Sequence, residues 1–394
     1  MNDNQDNHPV NKLTWLQQIR AYFTIGTHSG KIPELDGIRA IAIIMVMLHH
    51  FSFIYREVSN SFYRQAIITP LKNFMNNGWL GVDLFFVLSG FLIVRHLLRK
   101  QSDNLKTDHK NFFLKRILRT FPLYYAIIIL LVSGVLPSYM GQISLNELLI
   151  HVFFLQDYMG SEILTPLWSL ATEEKFYLLS PLLVWWITKL KPTQGIVLLL
   201  ALMTLLIMIR TLHIHLSSDS HSYFQFFWLY RAPFQYAVTG ILAGVLVAWL
   251  NEKTNGKPGV VLVSLSVVIA MVLLTRMDST TTESAMALHL MHTGLIAAFA
   301  LWVWAAVSYS GSRWMGWLTG RFLRIIAILS YAMYLVHNTV FKWVYQLHKD
   351  WVYSETAWVH ATTFFAIYLL LTAGISLALH YLIEKPFLLL KQRY

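Results

Sequence analysis

Apolar runs of about 20 residues recur along the whole chain, and they are what most limits its fold. A helix of that length crosses the hydrocarbon of a bilayer, and a helix satisfies its own backbone hydrogen bonds where no water is present. The runs fall near 38–55, 78–98, 121–136, 167–188, 195–215, 232–250, 259–275, 287–308, 323–346 and 358–383. Of the 394 residues, 56% are hydrophobic and 13% charged, whereas a soluble chain carries about 25% charged residues. The expectation is an all-α, polytopic integral membrane protein with about ten transmembrane helices in one domain. The segment 145–156 (LNELLIHVFFLQ) is apolar but too short to cross. It reads as one short re-entrant or interfacial helix.

Charge sets an orientation. Arg95, Arg99, Lys100, Lys106, Lys110, Lys115, Arg116 and Arg119 lie between the second and third spans, so that loop is expected in the cytoplasm. Alternation then also places Lys189 and Lys191, Lys253 and Lys257, Arg313, Arg321 and Arg324, and the closing Lys385, Lys391 and Arg393 inside. Ten crossings with both termini cytoplasmic keep the basic loops on one side. The formal charge of +11 has the same explanation, with no need of a nucleic-acid partner. Pro122 and Pro233 are expected in first turns, and Pro181, inside a span, predicts a kink. Residues 1–33 form a polar cytoplasmic segment, in which Leu13, Leu16, Ile19 and Phe23 predict an amphipathic helix on the membrane surface. The domain proper is 34–387, with a short cytoplasmic tail at 388–394. The chain has no cysteine, which excludes disulfides, thiolate metal sites and a cysteine nucleophile. HExxH, GxxxxGK[ST] and GxGxxG are absent, and no metal is expected.

Ionisable side chains inside spans carry the functional signal, because they are costly there. In ELDGIRAIAIIMVMLHHF, ten residues separate Arg39 from His50. Eleven helical steps bring both to nearly one face, about 16 Å apart along the axis. A long ligand, anionic at the cytoplasmic end and reactive in the bilayer core, would suit that line. Asp36 stands in the same first turn. His49 is rotated by about 100° and is expected to pack or orient. The second span carries Asp83 near its outer end and Ser89-Gly90 at its middle, where small residues permit close packing. Arg116 and Arg119 share a face. Anchoring explains them, and so does a phosphate clamp with Arg39. Glu173 and Glu174 lie about two turns into the fourth span; Glu173 shares a face with Ser169, Phe176 and Tyr177, while Lys175 faces away to neutralise a carboxylate. Arg231 opens another span, and Tyr334 shares a face with His337; packing accounts for these equally well. His213/His215 and His289/His292 read as core or interfacial histidines.

In order, ELDGIRAIA…LHH, GVDLFFVLSGFLI, KRILRTFPLYY, WSLATEEKFYLLSPLL, YRAPFQYAVTG, LSYAMYLVH and EKP resemble the membrane acyltransferase-3 family of bacterial integral-membrane O-acyltransferases. The resemblance implies an enzyme of the cytoplasmic (inner) membrane. It would move an acyl group, acetyl in the first instance, from acyl-CoA (acetyl-CoA) to a hydroxyl of an envelope glycan such as O-antigen, capsule or another polysaccharide, or of a small molecule. It also implies that His50 is the catalytic histidine and that Arg39 helps to bind acyl-CoA. Roles follow for Arg116, Arg119 and the glutamates after Trp168. Glu173 is expected to orient the His50 imidazole while His50 serves as base or acyl relay. Asp36, Asp83, Ser89, Trp168, Tyr177, Arg231, Tyr334 and His337 are the supporting candidates, and a homo-oligomer remains open. After Arg231 the family often has an acid where Phe234-Gln235 stands here. The chain stops at EKPFLLLKQRY, so a second transfer step is expected either to need another protein or not to occur. The competing class is a transporter or flippase that moves a lipid-linked sugar or acyl group without chemistry.

Overall fold

The computed structural model describes residues 32–58, 69–99, 105–137, 143–161, 163–217, 222–352 and 357–391. The expected surface helix within 1–31 lies outside them. Among the described residues every regular element is helical. The α-helices of seven residues or more are, in chain order, α1 (Pro33–Val58), α2 (Thr69–Asn76), α3 (Gly81–Arg99), α4 (Leu105–Val132), α5 (Leu145–Val152), α6 (Trp168–Ile187), α7 (Pro192–Leu216), α8 (Phe234–Trp249), α9 (Val260–Arg276), α10 (Ala285–Ser308), α11 (Arg321–Val352), α12 (Ala357–Leu379) and α13 (Lys385–Lys391).

Among the described residues, seven stretches are long and apolar enough to cross a membrane: Pro33–Ser52, Thr69–Arg99, Pro192–Leu216, Phe234–Thr254, Ala285–Ser308, Arg321–Leu347 and Thr362–Lys391. Three of the ten expected spans fall short of that measure for different reasons. The helix Val260–Arg276 is apolar but has 17 residues. Helix α4 carries a basic first half, and α6 carries Glu173, Glu174 and Lys175. Charge at a site therefore removes the hydropathy signal that would have marked a span.

One proline expectation is revised. Pro122 sits well inside α4, which begins at Leu105, and not in a first turn. Helix α6 continues through Pro181 to Ile187. Both helices persist because apolar surroundings offer the backbone no other partner. Pro233 immediately precedes α8. Ahead of it a wide π-helical turn, Phe227–Arg231, closes with Ala232 N donating to Phe227 O at 2.8 Å.

The centre is α3 against α8, with α1 alongside α3 and α11 alongside α1. Glycine permits the closest approach: a Cβ on Gly90 would stand 2.0 Å from Ile241 O, and one on Gly244 2.0 Å from Val87 O. Burial divides the bundle into centre and rim, 72% of the apolar window being covered in the α8 stretch against 17% in α7. Rim helix α12 inverts the soluble pattern. Its covered positions Phe364, Tyr368, Thr372 and Ser376 recur every fourth residue, a series that His380 continues just past its end, while Leu370, Leu371 and Leu377 face outward.

Short α5 matches the expected element at 145–156. Ser144 caps it, accepting from Glu147 N at 3.1 Å. Eight residues rise only about 12 Å, and Leu145, Leu149 and Val152 are exposed.

Candidate active site

Basic side chains from three elements gather at one end of α1. Arg39 lies in the fields of Arg119, Asp36, Glu173 and Tyr177. Lys391 of α13 feels Arg119, Arg116, Lys115 and Arg39. Asp36 Oδ1 is 3.5 Å from Arg39 Nη1, and its Oδ2 is 3.8 Å from Arg324 Nη1. The Arg116 guanidinium lies over the rings of Phe112 and Tyr177, at 5.4 and 5.1 Å. Like charges held together repel, so this arrangement favours an anion with several oxygens.

The predicted Arg39, Arg116 and Arg119 are thus brought together. Lys391 was missed because it is remote in sequence and looked like a tail anchor. Glu173 belongs to the same neighbourhood. Tyr177 OH donates to its Oε2 at 3.2 Å, and Ser89, Arg119 and Arg116 lie near it. Glu174 meets Thr120, and its Oε1 is buried without a hydrogen-bond partner. Lys175 neutralises neither glutamate. It is bound to Asp157 and donates to Phe154 O at 2.9 Å. Burial pushes the Asp157 carboxyl above its ordinary value, against the pull of Lys175.

His50 lies deeper on α1. Its Nδ1 is 2.9 Å from Val46 O, a pure acceptor, which assigns the ring hydrogen to Nδ1. His337 Nδ1 is 3.1 and 2.8 Å from Met333 O and Tyr334 O. Its hydrogen is assigned to Nδ1 likewise, leaving the Nε2 lone pair to accept from His50 Nδ1–H at 3.2 Å. His50 Nε2 keeps a lone pair with no hydrogen-bond partner among the described residues. The expected orienting contact from Glu173 is not made. The group that meets the His50 imidazole is His337, because α11, not α6, packs along this part of α1. Neighbouring His49 is buried with Nδ1 2.8 Å from Asn76 O. Tyr334 does not join the imidazoles through its hydroxyl, which donates to Pro166 O at 2.5 Å and lies 2.6 Å from Ser169 Oγ.

A second buried cluster lies beside them. Arg231 Nη2 donates to Asp83 Oδ2 at 2.9 Å and to Trp79 O at 3.1 Å. Its guanidinium lies over Trp79 at 4.3 Å and Trp168 at 4.8 Å. Asp83 is thus the carboxylate that meets Arg231. Asp83 Oδ1 is 2.9 Å from His292 Nε2, and His292 Nδ1 is 2.9 Å from Arg210 Nη1. The sequence reading of His292 as a core histidine is right about burial and incomplete about partners. Its carboxylate lies 209 positions away, where no spacing rule reaches. Arg210 gave no signal beyond a charge inside an apolar run.

The acyltransferase-3 family model, an acyltransferase domain, matches residues 32–381. The chain belongs to this family, and it is a multi-pass membrane protein. It is similar to YrhL of Bacillus subtilis, provisionally named a peptidoglycan O-acetyltransferase, at 32% identity over 39% of this chain and 24% of that protein. It is also similar to the peptidoglycan O-acetyltransferase OatA of Listeria monocytogenes, at 30% identity over 38% of this chain and 24% of that protein. The chain matches about a quarter of the length of these relatives. No solved structure matches it.

Proposed function

We propose that the protein is a membrane O-acyltransferase that carries an acyl group, acetyl in the first instance, from cytoplasmic acyl-CoA to a hydroxyl of an envelope glycan. The observation that carries this is the open lone pair of His50 Nε2, deep on a helix whose mouth is ringed by Arg39, Arg116, Arg119 and Lys391. Nucleotide phosphates suit that ring, since guanidinium forks match phosphate oxygens. The pantetheine arm then runs along α1 to bring the thioester to His50. The Nε2 lone pair takes the proton of the acceptor hydroxyl during its attack. Nδ1–H, held by Val46 O and His337 Nε2, keeps the ring oriented and spreads the charge it gains. The same nitrogen would serve as nucleophile in an acyl-histidine route.

Relatives named for peptidoglycan O-acetylation put peptidoglycan first among acceptors, ahead of O-antigen and capsule. Ten crossings with both termini in the cytoplasm of a bacterial inner membrane accord with the basic loops. The test is purified protein in vesicles with labelled acyl-CoA and glycan oligosaccharides, read by mass spectrometry. Ester-linked acyl on the glycan is expected. Movement of sugar or acyl across the bilayer with no ester formed would replace this reading with transport.

A further inference from the structure

Asn73, Asn76, Asn77 and Ser279 are buried where the end of α2 and the turn after it, Asn77–Leu80, meet the end of α9 and the loop that follows. Buried amides need partners, and these find them across the contact. Asn73 Nδ2 donates to Thr275 O at 3.0 Å, and Asn77 Nδ2 to Leu274 O and Met277 O at 3.0 and 2.6 Å. Ser279 N donates to Asn77 Oδ1 at 3.2 Å, and Trp79 Nε1 to Ser279 Oγ at 2.9 Å. Asn76 Nδ2 lies 3.0 Å from each oxygen of Asp278. Asp278 is itself held, its Oδ1 accepting from Thr280 N at 3.1 Å and from Thr280 Oγ1 at 2.6 Å.

Asn76 also binds α1. His49 Nδ1–H donates to its main-chain O at 2.8 Å, and Ser52 Oγ donates to its Oδ1 at 3.1 Å. The turn lies close against the same helix, since a Cβ on Gly78 would stand 2.1 Å from Met45 O. His49 and Ser52 are three apart and share a face. His50, one step of about 100° further round, meets His337, and its ring stands edge-on to that of His49 with centroids 5.2 Å apart. Apolar contacts are non-directional, whereas hydrogen bonds are not. Two such bonds one turn apart therefore fix the rotation of α1 more sharply than apolar packing alone. Side-chain tips ride about 5–6 Å from a helix axis, so a rotation of about 10° would carry the His50 ring by about 1 Å. A displacement of about that size can cost about 10²-fold in rate.

We infer that Asn76 and Asp278 are positioning residues for the reaction at His50. Asp278 holds the Asn76 amide, Asn76 holds His49 and Ser52, and that grip sets the rotation at which α1 presents the His50 imidazole. The inference rests on the reading of His50 as the base. No proton passes along this chain of contacts, which supplies geometry only. His49, expected to pack or orient, does the second.

The test uses the full chain reconstituted in lipid, with kcat and KM for acetyl-CoA measured against glycan oligosaccharide and folding checked by thermal unfolding. Asn76→Asp sets one carboxylate against another and should lower kcat by about 10²-fold. KM for acetyl-CoA should change little, because Arg39 lies at the other end of α1. Adding Asp278→Asn rebuilds the amide–carboxylate pair in reverse, with Ser52 still donating to position 76, and should return kcat to within a few-fold. Should Asn76→Asp not fold, Asn76→Ala stands in and should lower kcat by about tenfold. Asn73→Ala removes the bond to Thr275 O; it should lower the unfolding temperature and leave kcat alone. The inference is overturned if a folded Asn76→Asp or Asn76→Ala protein keeps full kcat, or if the loss falls on KM alone. It is overturned equally if the reversed pair stays as slow as Asn76→Asp, or if Asn73→Ala loses as much kcat as Asn76→Ala. His50→Ala in the same assay separates the two ideas. An active His50→Ala protein sinks the base and with it what is positioned, whereas an inactive one beside a fully active Asn76→Ala protein sinks only the positioning role.

Discussion

His50 and His292 are both membrane-depth histidines on apolar helices, and they are wired in opposite ways. His292 spends both ring nitrogens, one on Arg210 and one on Asp83. His50 spends only Nδ1, on Val46 O and His337, and leaves Nε2 open. A saturated imidazole is a strut, whereas a half-spent one can move a proton. Neither the residue type nor burial decides the role; what the second nitrogen meets does.

Four experiments would break or sharpen this contrast. The largest effect is expected for His50→Ala, which removes the open nitrogen and should lower ester formation from labelled acyl-CoA by about 10²–10⁴-fold. Turnover within a few-fold of the unaltered protein would end the contrast. On the saturated side, Asp83→Ala leaves two arginines without their counter-charge and should cost about 3–5 kcal/mol of stability. Denaturant unfolding in detergent measures that, and adding Arg231→Leu to it should return part of the loss. Arg39→Ala removes one phosphate contact worth about 1.5–3 kcal/mol, so KM for acyl-CoA should rise tenfold or more. A fall in kcat with unchanged KM would move Arg39 from the donor grip to the chemistry. The smallest effect is expected for Tyr334→Phe, which deletes the hydroxyl joining Pro166 O and Ser169. The unfolding free energy should drop by about 1 kcal/mol, and a much larger drop would tie that hydroxyl into the buried polar network.

Much of the bundle was legible locally. Apolar length marked most helices, and the short element at 145–156 was visible because its eight-residue helix could not cross. The first turn of α4 was misplaced because its apolar run begins only near Phe121, yet it is helical from Leu105. Arg39 and His50 could be paired because helical periodicity alone sets their shared face. Lys175 could not be assigned, since its choice between a neighbouring glutamate and Asp157 depends on where a separate helical turn docks. Glu173 was expected beside His50 on chemical grounds, but docking sent it to Ser89, Tyr177 and the arginines.

The chain's sequence alone determined that it is a helical membrane protein and that His50 lies on the face of Arg39, because hydropathy and a 3.6-residue period are properties of a single segment. Only the tertiary structure decided that His337 meets His50, that Lys391 joins the arginines and that Asp83 bridges Arg231 to His292 and Arg210. His50 and His337 alone are 287 positions apart. Partners at such separations are chosen by which helices pack together, as where Gly90 and Gly244 let α3 and α8 close, and no local pattern records that choice.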